Sequence, residues 1–121
     1  MPEHLGEPPP DAIRSRTGLA WKILRPGEGG ESPGPRDRVK VHYIGWNTEG
    51  QWFDSSYSRG APAELPFDNV IRGWQEALST MTPGEMRRIW IPDRLAYAGQ
   101  ADKPKGPLTF DVELLEINPE G

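Results

Sequence analysis

The sequence predicts an α+β domain in which an antiparallel sheet of about five strands carries one short helix on one face. Three observations predict it: a hairpin pattern over residues 38–55, a helical apolar stripe over residues 70–81, and strict alternation over residues 108–114. Alternation places every second side chain on one face of a strand, whereas spacings of three and four residues share one face of a helix. Hairpin-like connections between the strands favour antiparallel pairing.

The amino-terminal residues 1–16 are polar and include Pro8, Pro9 and Pro10, which is typical of a flexible or polyproline-like lead-in. We therefore expect a single domain over residues 17–118 and a short tail over residues 119–121. The length of 121 residues suits one domain of this size.

The first predicted strand covers residues 19–24, with Leu19, Trp21 and Ile23 on one side. Residues 26–35 are so rich in proline and glycine that they must form a loop.

The hairpin consists of a strand over residues 38–45, a turn at residues 47–50 and a returning strand over residues 51–55. One face of its first strand would carry Val39, Val41 and Tyr43. We expect a loop over residues 57–63.

The helix is expected to begin near Val70, with Asp68 and Asn69 available as caps. Its apolar stripe consists of Trp74, Ala77, Leu78 and Met81, and residues 82–84 end it.

The last two strands are predicted over residues 85–91 and 108–114, separated by a loop over residues 98–107. Ile89 and Ile91 should point inward and Trp90 outward. The alternation breaks at Leu114 and Leu115, which indicates a bulge or burial on both faces.

Composition excludes several kinds of chemistry. The chain has no cysteine and two histidines, so disulfides, thiolate nucleophiles and cysteine-bound metals are excluded and a histidine-rich metal centre is not expected. We expect no metal and no cofactor. The net charge of −4, without a basic stripe, argues against nucleic-acid binding, and no apolar run is long enough to span a membrane.

The charged and titratable residues of the domain are expected to be unremarkable. Arg87 and Arg88 should lie on a solvated face, His42 should be a plain surface or edge histidine, and Asp111 and Glu113 should face solvent. What remains is a binding pocket, or a reaction that needs no nucleophile.

The sequence is compatible with two cellular locations. Residues 1–16 contain no apolar segment of the kind found in signal peptides, so the protein would be cytoplasmic if Met1 is its native start and exported if a leader has been removed.

Six short segments in order resemble the FKBP-type peptidyl-prolyl cis-trans isomerases. They are Val39–Gly45, Phe53–Ser56, Val70–Trp74, Pro83–Glu85, Ile91–Pro92 leading to Ala96–Tyr97, and Leu108–Leu115. The resemblance implies a five- or six-stranded antiparallel sheet curled over one short helix, and an enzyme that isomerises Xaa–Pro bonds in proline-containing polypeptides and assists their folding.

The same resemblance implies a set of site residues. An aromatic pocket would take the prolyl ring, with Trp74 as its floor, Tyr43, Phe53 and Phe110 as its walls, and Val70 in its lining. The Ile71 amide and the Tyr97 hydroxyl would bond ligand carbonyls. Asp54 would lie beside the isomerising amide, oriented by Tyr43 and paired with Arg59.

Departures from the family pattern affect the pocket rim. Ala63 stands near a position where the family often has a bulky aromatic, residues 65–70 are shorter, and Ala98 replaces a preferred glycine. The loop over residues 98–107 is also shorter than usual, and we expect any macrolide inhibitor to bind weakly. A monomer is expected.

Two alternatives to an active isomerase remain at this point. One is a non-catalytic module that binds proline peptides. The other is a purely structural domain whose pocket is filled by its own Trp52 or Tyr57.

Overall fold

A computed structural model describes residues 7–119, in which seven strands and one α-helix form. They are β1 (Ile13–Arg14), β2 (Ala20–Arg25), β3 (Arg38–Trp46), β4 (Trp52–Ser55), β5 (Ala63–Pro66), β6 (Met86–Ile91) and β7 (Leu108–Ile117), and helix α1 spans Arg72–Leu78. All strand pairs are antiparallel, so the predicted α+β class is confirmed.

The sheet has the order β1-β2-β6-β7-β3-β4, with β5 also paired to β3. Strands β4 and β5 share one edge of β3: Ile44 lies opposite Ser55, and Val41 lies opposite Ala63. Together they act as one interrupted edge strand. β5 falls partly in the stretch predicted to be a loop and was not expected as a strand.

The amino-terminal part of the sheet differs from the prediction. Ile13 and Arg14, inside the expected lead-in, pair with Trp21 and Ala20. Leu19 is fully buried, but Ile23 is 45% exposed, so it does not share a buried side with Leu19. The reason is that β2 lies near the sheet edge and its register with β6 shifts after Ile23. Residues 1–6 of the lead-in and 120–121 of the tail lie outside the described residues.

Helix α1 begins later than predicted. Asp68 lies in a 3₁₀ turn, Phe67–Asn69, and the residue that precedes the helix is Ile71, so the predicted caps are wrong. Gln75 Nε2 instead donates to the Val70 carbonyl at 2.8 Å. Trp74, Ala77, Leu78 and Met81 are all buried, which confirms the stripe, although Met81 lies beyond the helix end.

The helix lies close against the sheet at Gly73. A Cβ atom there would come within 2.5 Å of the Ile91 side chain on β6, so any larger residue would push α1 away. Gly73 thereby sets how deeply Trp74, the next residue, reaches toward the sheet.

The bulge indicated by the sequence is confirmed on β7. Val41 lies opposite Leu114 and Lys40 opposite Glu116, which leaves Leu115 as the extra residue. The bulge follows the inward-facing row of β7, in which Leu108, Phe110, Val112 and Leu114 are buried in the core.

The outer face of the sheet is also covered. Trp46 and Trp90 flank the fully buried Thr109, and Arg88 donates to both Asp111 carboxylate oxygens at 2.7 and 2.8 Å. Asp111 is buried rather than solvent-facing because this two-pronged ion pair satisfies it. Within the described residues, no helix is both long and apolar enough to cross a membrane.

Arg87, expected on a solvated face, is buried. Its Nε donates to the Glu85 carboxylate, and its Nη1 and Nη2 donate to the Thr80 hydroxyl and carbonyl at 2.8 and 3.1 Å. The guanidinium also lies 5.4 Å from the Trp21 ring centroid. This cluster fastens the segment after α1 to β6, and a single sequence pattern could not show that these partners meet.

We expect Arg87→Met to lower the free energy of unfolding by about 3–5 kcal/mol, because it leaves the Glu85 carboxylate buried without its partner. The double variant Glu85→Gln/Arg87→Met should recover at least half of that loss, since no buried charge remains. Urea denaturation measures both. Arg36→Met, at an exposed arginine, is the matched control, and a cost for Arg87→Met as small as that of the control would contradict the prediction.

Candidate active site

Four aromatic rings form a continuous edge-to-face chain between the sheet and α1. Trp74 lies 5.1 Å from Tyr43 and 5.3 Å from Phe110 between ring centroids, and Phe110 lies 5.5 Å from Phe53. The interplanar angles are between 80° and 88°, which is the arrangement that ring quadrupoles favour. The chain fixes the orientation of each ring through its neighbours.

A cavity of about 230 Å³ opens over these rings. For comparison, an apolar cavity of about 150 Å³ can hold benzene. The cavity is lined by Tyr43, Asp54, Leu65, Asn69, Val70, Ile71, Trp74, Tyr97, Lys103 and Phe110. All the predicted site residues therefore line it except Phe53 and Arg59.

Phe53 supports the cavity from behind. It packs edge-on against Phe110 and belongs to a bulge on β4, because Asp54 lies opposite Gly45 whereas Trp52 lies opposite Trp46. Gly45 makes this possible: a Cβ atom there would lie 2.6 Å from Phe110 Cε1 and 2.8 Å from Phe53 Cζ. The glycine thus provides the space that both rings occupy.

Arg59 reaches the cavity rim from the 3₁₀ turn Tyr57–Arg59. Its Nη1 donates to Asp54 Oδ1 at 2.7 Å, and its Nη2 donates to the Tyr43 hydroxyl oxygen at 2.6 Å. The Tyr43 hydroxyl in turn donates to Asp54 Oδ2 at 2.8 Å, and the Ser55 amide donates to Asp54 Oδ1 at 2.9 Å. This closed triangle of Tyr43, Asp54 and Arg59 matches the predicted pairing.

The triangle governs the charges at the cavity. Partial burial pushes the pKa of the Asp54 carboxyl upward, but hydrogen bonds from Arg59 and Tyr43, with the Arg59 charge and the Ser55 amide, hold it below its ordinary value. Burial, and then the hydrogen bond to Asp54, raise the pKa of Tyr43. Burial, and then the charge of Asp54, raise the pKa of Tyr97. At neutral pH the cavity therefore holds one carboxylate and two neutral phenols.

Of the cavity donors that have no acceptor among the described residues, two belong to residues predicted to bond ligand carbonyls. They are the Ile71 amide N–H, just before α1, and the Tyr97 hydroxyl. The buried Trp74 Nε1 also lacks a partner in this part of the chain. Ile71 and Tyr97 are thus positioned on the lining with free donors.

Trp52 and Tyr57 do not fill the cavity. Trp52 is 57% exposed, and Tyr57 is 49% exposed and stacks on His42 at 4.6 Å. His42 is not a plain surface histidine, because its Nδ1 lies 2.8 Å from the Ser56 hydroxyl, which also accepts the Tyr43 amide N–H. The alternative of a pocket filled by Trp52 or Tyr57 is therefore wrong.

Three lining residues were missed by sequence reasoning. Leu65 lies on β5, whose four residues end in a proline and gave no strand signal. Asn69 was assigned to a helix cap. Lys103 lies in the loop over residues 98–107, and its ammonium is 5.4 Å from the Tyr97 ring centroid. Ala63 and Leu65 both pack against the core, and of these two residues of β5 it is Leu65 that lines the cavity.

The same loop begins under backbone strain. Ala98 has a φ of 50°, in the left-handed region that glycine adopts more readily, so the departure from the family glycine carries a conformational cost. Among residues 7–119, no three histidine, cysteine, aspartate or glutamate side chains are grouped closely enough to hold a metal ion.

Sequence and structure comparisons find relatives of this chain. A sequence model of the family described as FKBP-type peptidyl-prolyl cis-trans isomerase matches residues 29–115. The FKBP-type 22 kDa peptidyl-prolyl cis-trans isomerase of Escherichia coli (strain K12) is 46% identical over 107 residues, covering 85% of this chain and 52% of that protein.

A second relative and a solved structure extend the comparison. The peptidyl-prolyl cis-trans isomerase Mip of Coxiella burnetii is 44% identical over 104 residues, covering 83% of this chain and 45% of that protein. The crystal structure of FkpA from Escherichia coli superposes with a TM-score of 0.83 at 39% identity, covering 92% of this chain and 53% of that one. The chain thus spans about half the length of the curated relatives it matches.

We expect Gly45→Ala to displace the rings of Phe53 and Phe110 and to lower the free energy of unfolding by about 1–3 kcal/mol, because the new methyl group occupies their space. Near-ultraviolet circular dichroism should change with it, since the aromatic chain is asymmetric. Gly60→Ala is the control, because a Cβ atom there meets nothing within 4 Å although its backbone has a positive φ of 76°. An aromatic spectrum that changes in the control and not in Gly45→Ala would contradict this account.

Proposed function

Because this chain belongs to the family of FKBP-type peptidyl-prolyl cis-trans isomerases, we propose that it catalyses the isomerisation of Xaa–Pro bonds in polypeptides and thereby assists their folding. The observation that carries the proposal is the open cavity lined by the edge-to-face rings of Tyr43, Trp74 and Phe110. Its size suits a prolyl ring with its adjoining amide.

The physical chemistry of the reaction suits such a site. The barrier to rotation about a peptide bond is roughly 18–20 kcal/mol, because the C–N bond has partial double-bond character. At the twisted transition state this resonance is lost and the carbonyl becomes less polar. Water bound to the carbonyl stabilises the planar form, so an aromatic cavity that excludes water favours the twisted form. The reaction requires no nucleophile.

The lining residues would act together on the bound peptide. We assign the prolyl ring to the floor formed by Trp74, with Tyr43 and Phe110 as walls and Phe53 behind them. The free donors of Ile71 and Tyr97 would hold carbonyls of the peptide chain on either side of the bond.

Asp54 would lie beside the isomerising amide as a fixed charge rather than as an acid or base. Tyr43 and Arg59 both donate to it, so its carboxylate cannot rotate and its charge is largely balanced. This pairing lowers the demand of the carboxylate for water, although its side chain is still 42% exposed at the rim. Val70 and Leu65 complete the apolar rim.

The whole protein's substrates and partners are also proposals, since the chain spans about half the length of its curated relatives. Proline-containing polypeptides are the proposed substrates. Weak macrolide binding and a monomeric state stay predictions, the first supported by the short loop over residues 98–107.

We expect Phe53→Ala to abolish measurable isomerisation and Asp54→Ala to lower kcat/KM about tenfold or more, because the first removes support for Phe110 and the second opens the triangle. A protease-free assay of a Xaa–Pro peptide by NMR exchange measures both. Matched controls are the exposed Trp52→Ala, one residue away, and Glu49→Ala in the preceding turn.

Two results would contradict the proposal. One is a wild-type protein that exchanges the peptide no faster than the uncatalysed background. The other is full activity in both site variants. Circular dichroism on every variant separates a local effect from loss of folding.

We also expect kcat/KM to be independent of pH between roughly pH 5 and pH 9. The pKa of Asp54 is lowered by its partners, so its stabilising contribution is present above its unfolded value and is lost only as the pH falls through the lower folded pKa. The pKa values of Tyr43 and Tyr97 are raised, so both phenols stay neutral across this range. A bell-shaped profile centred near neutrality would show instead that a titrating group takes part.

A further inference from the structure

Lys103 places a positive charge on the wall of the cavity. We propose that it makes the site prefer Xaa–Pro segments with an aspartate or glutamate next to the proline, an inference that rests on the proposed isomerase function. The lysine lines the cavity together with Tyr97 and Phe110.

The ammonium of Lys103 has no acidic partner within the described residues. No carboxylate of residues 7–119 lies within ion-pair distance of it, its neighbour Asp102 included. It makes a cation–π contact with the face of the Tyr97 ring, with 5.4 Å between Nζ and the ring centroid. A cation over an aromatic face is held in place while its charge stays available to a ligand.

The other charges of the cavity cancel. Asp54 is the one carboxylate among the lining residues that the structure describes, and Arg59 already pairs with it. The lining and its rim therefore carry one excess positive charge, from Lys103, in a chain whose net charge is −4. An acidic substrate side chain would meet this charge without competition from a protein carboxylate.

Tyr97 links the lysine to the bound peptide. Its hydroxyl is a free donor at the cavity, so a peptide whose carbonyl oxygen accepts this hydrogen bond passes beside the Lys103 ammonium. The side chain before or after the proline is then within the reach of a lysine. At a partly exposed rim, such a pair changes kcat/KM by about threefold to fivefold, and salt weakens it.

The test compares peptides that differ only in charge. Ala-Glu-Pro-Phe is compared with Ala-Gln-Pro-Phe, and Ala-Ala-Pro-Glu with Ala-Ala-Pro-Gln, each amidated at its carboxyl end, by NMR exchange at low ionic strength. The proteins are the wild type, Lys103→Gln, Lys103→Glu and the control Lys105→Gln. Lys105 lies in the same loop and is exposed, but it does not line the cavity.

The expected result is a glutamate-to-glutamine ratio of kcat/KM of about 3 to 5 in at least one peptide pair, which approaches 1 at about 0.5 M salt. The ratio should fall to about 1 in Lys103→Gln, drop below 1 in Lys103→Glu and stay unchanged in Lys105→Gln. These ratios need no assumption about the basal activity of the Lys103 variants.

Failure of the inference is distinguishable from failure of the proposed function. An active wild type with ratios near 1 in both pairs overturns the preference and leaves the isomerase function standing, as does a ratio that survives in both Lys103 variants. A wild type that turns over none of the peptides contradicts the isomerase function. The same glutamate-to-glutamine ratio, measured as equilibrium affinity by calorimetry, then decides the preference, and a value near 1 overturns it.

Discussion

The close contact between α1 and β6 at Gly73 is the constraint on which the cavity depends. Because this residue has no side chain, the helix lies directly on Ile91, and the next residue, Trp74, reaches between the rings of Tyr43 and Phe110. A helix held further out would leave a gap under Trp74, and protein interiors tolerate such gaps poorly. The contact is fastened beyond the helix end by the buried Arg87 and Glu85 pair. The geometry of the site therefore depends directly on the packing of the core in this domain.

Periodicity in the sequence was sufficient for the elements that keep their apolar residues on one face, and insufficient for those that depend on a partner. Strand β7 alternates apolar and polar residues although both of its faces are covered, and α1 repeats its apolar residues at helical spacing, so the sequence predicts both. Strand β5 is held by its pairing with β3, and β1 by its pairing with β2, so neither leaves a pattern of its own.

The residues of the candidate site likewise divide into those that the sequence predicts and those that depend on contacts between strands. Its aromatic members are named by a resemblance in ordered motifs, and they come together as that resemblance implies. The role of Gly45 and the bulge that turns Phe53 behind Phe110 depend on which atoms meet across strands, which no local pattern records. Lys103 was not predicted, because its place on the cavity wall depends on the path of an irregular loop.

The pairing of β3 along both of its edges has a consequence for the motions of the domain. This strand is bonded to β7 on one side and to β4 and β5 on the other, so its partners come from both halves of the chain. Because its amides are bonded along both edges, we expect them to exchange with solvent far more slowly than the amides of the irregular loop that carries Lys103. The binding cleft therefore lies between a strand paired on both sides and a loop without regular secondary structure.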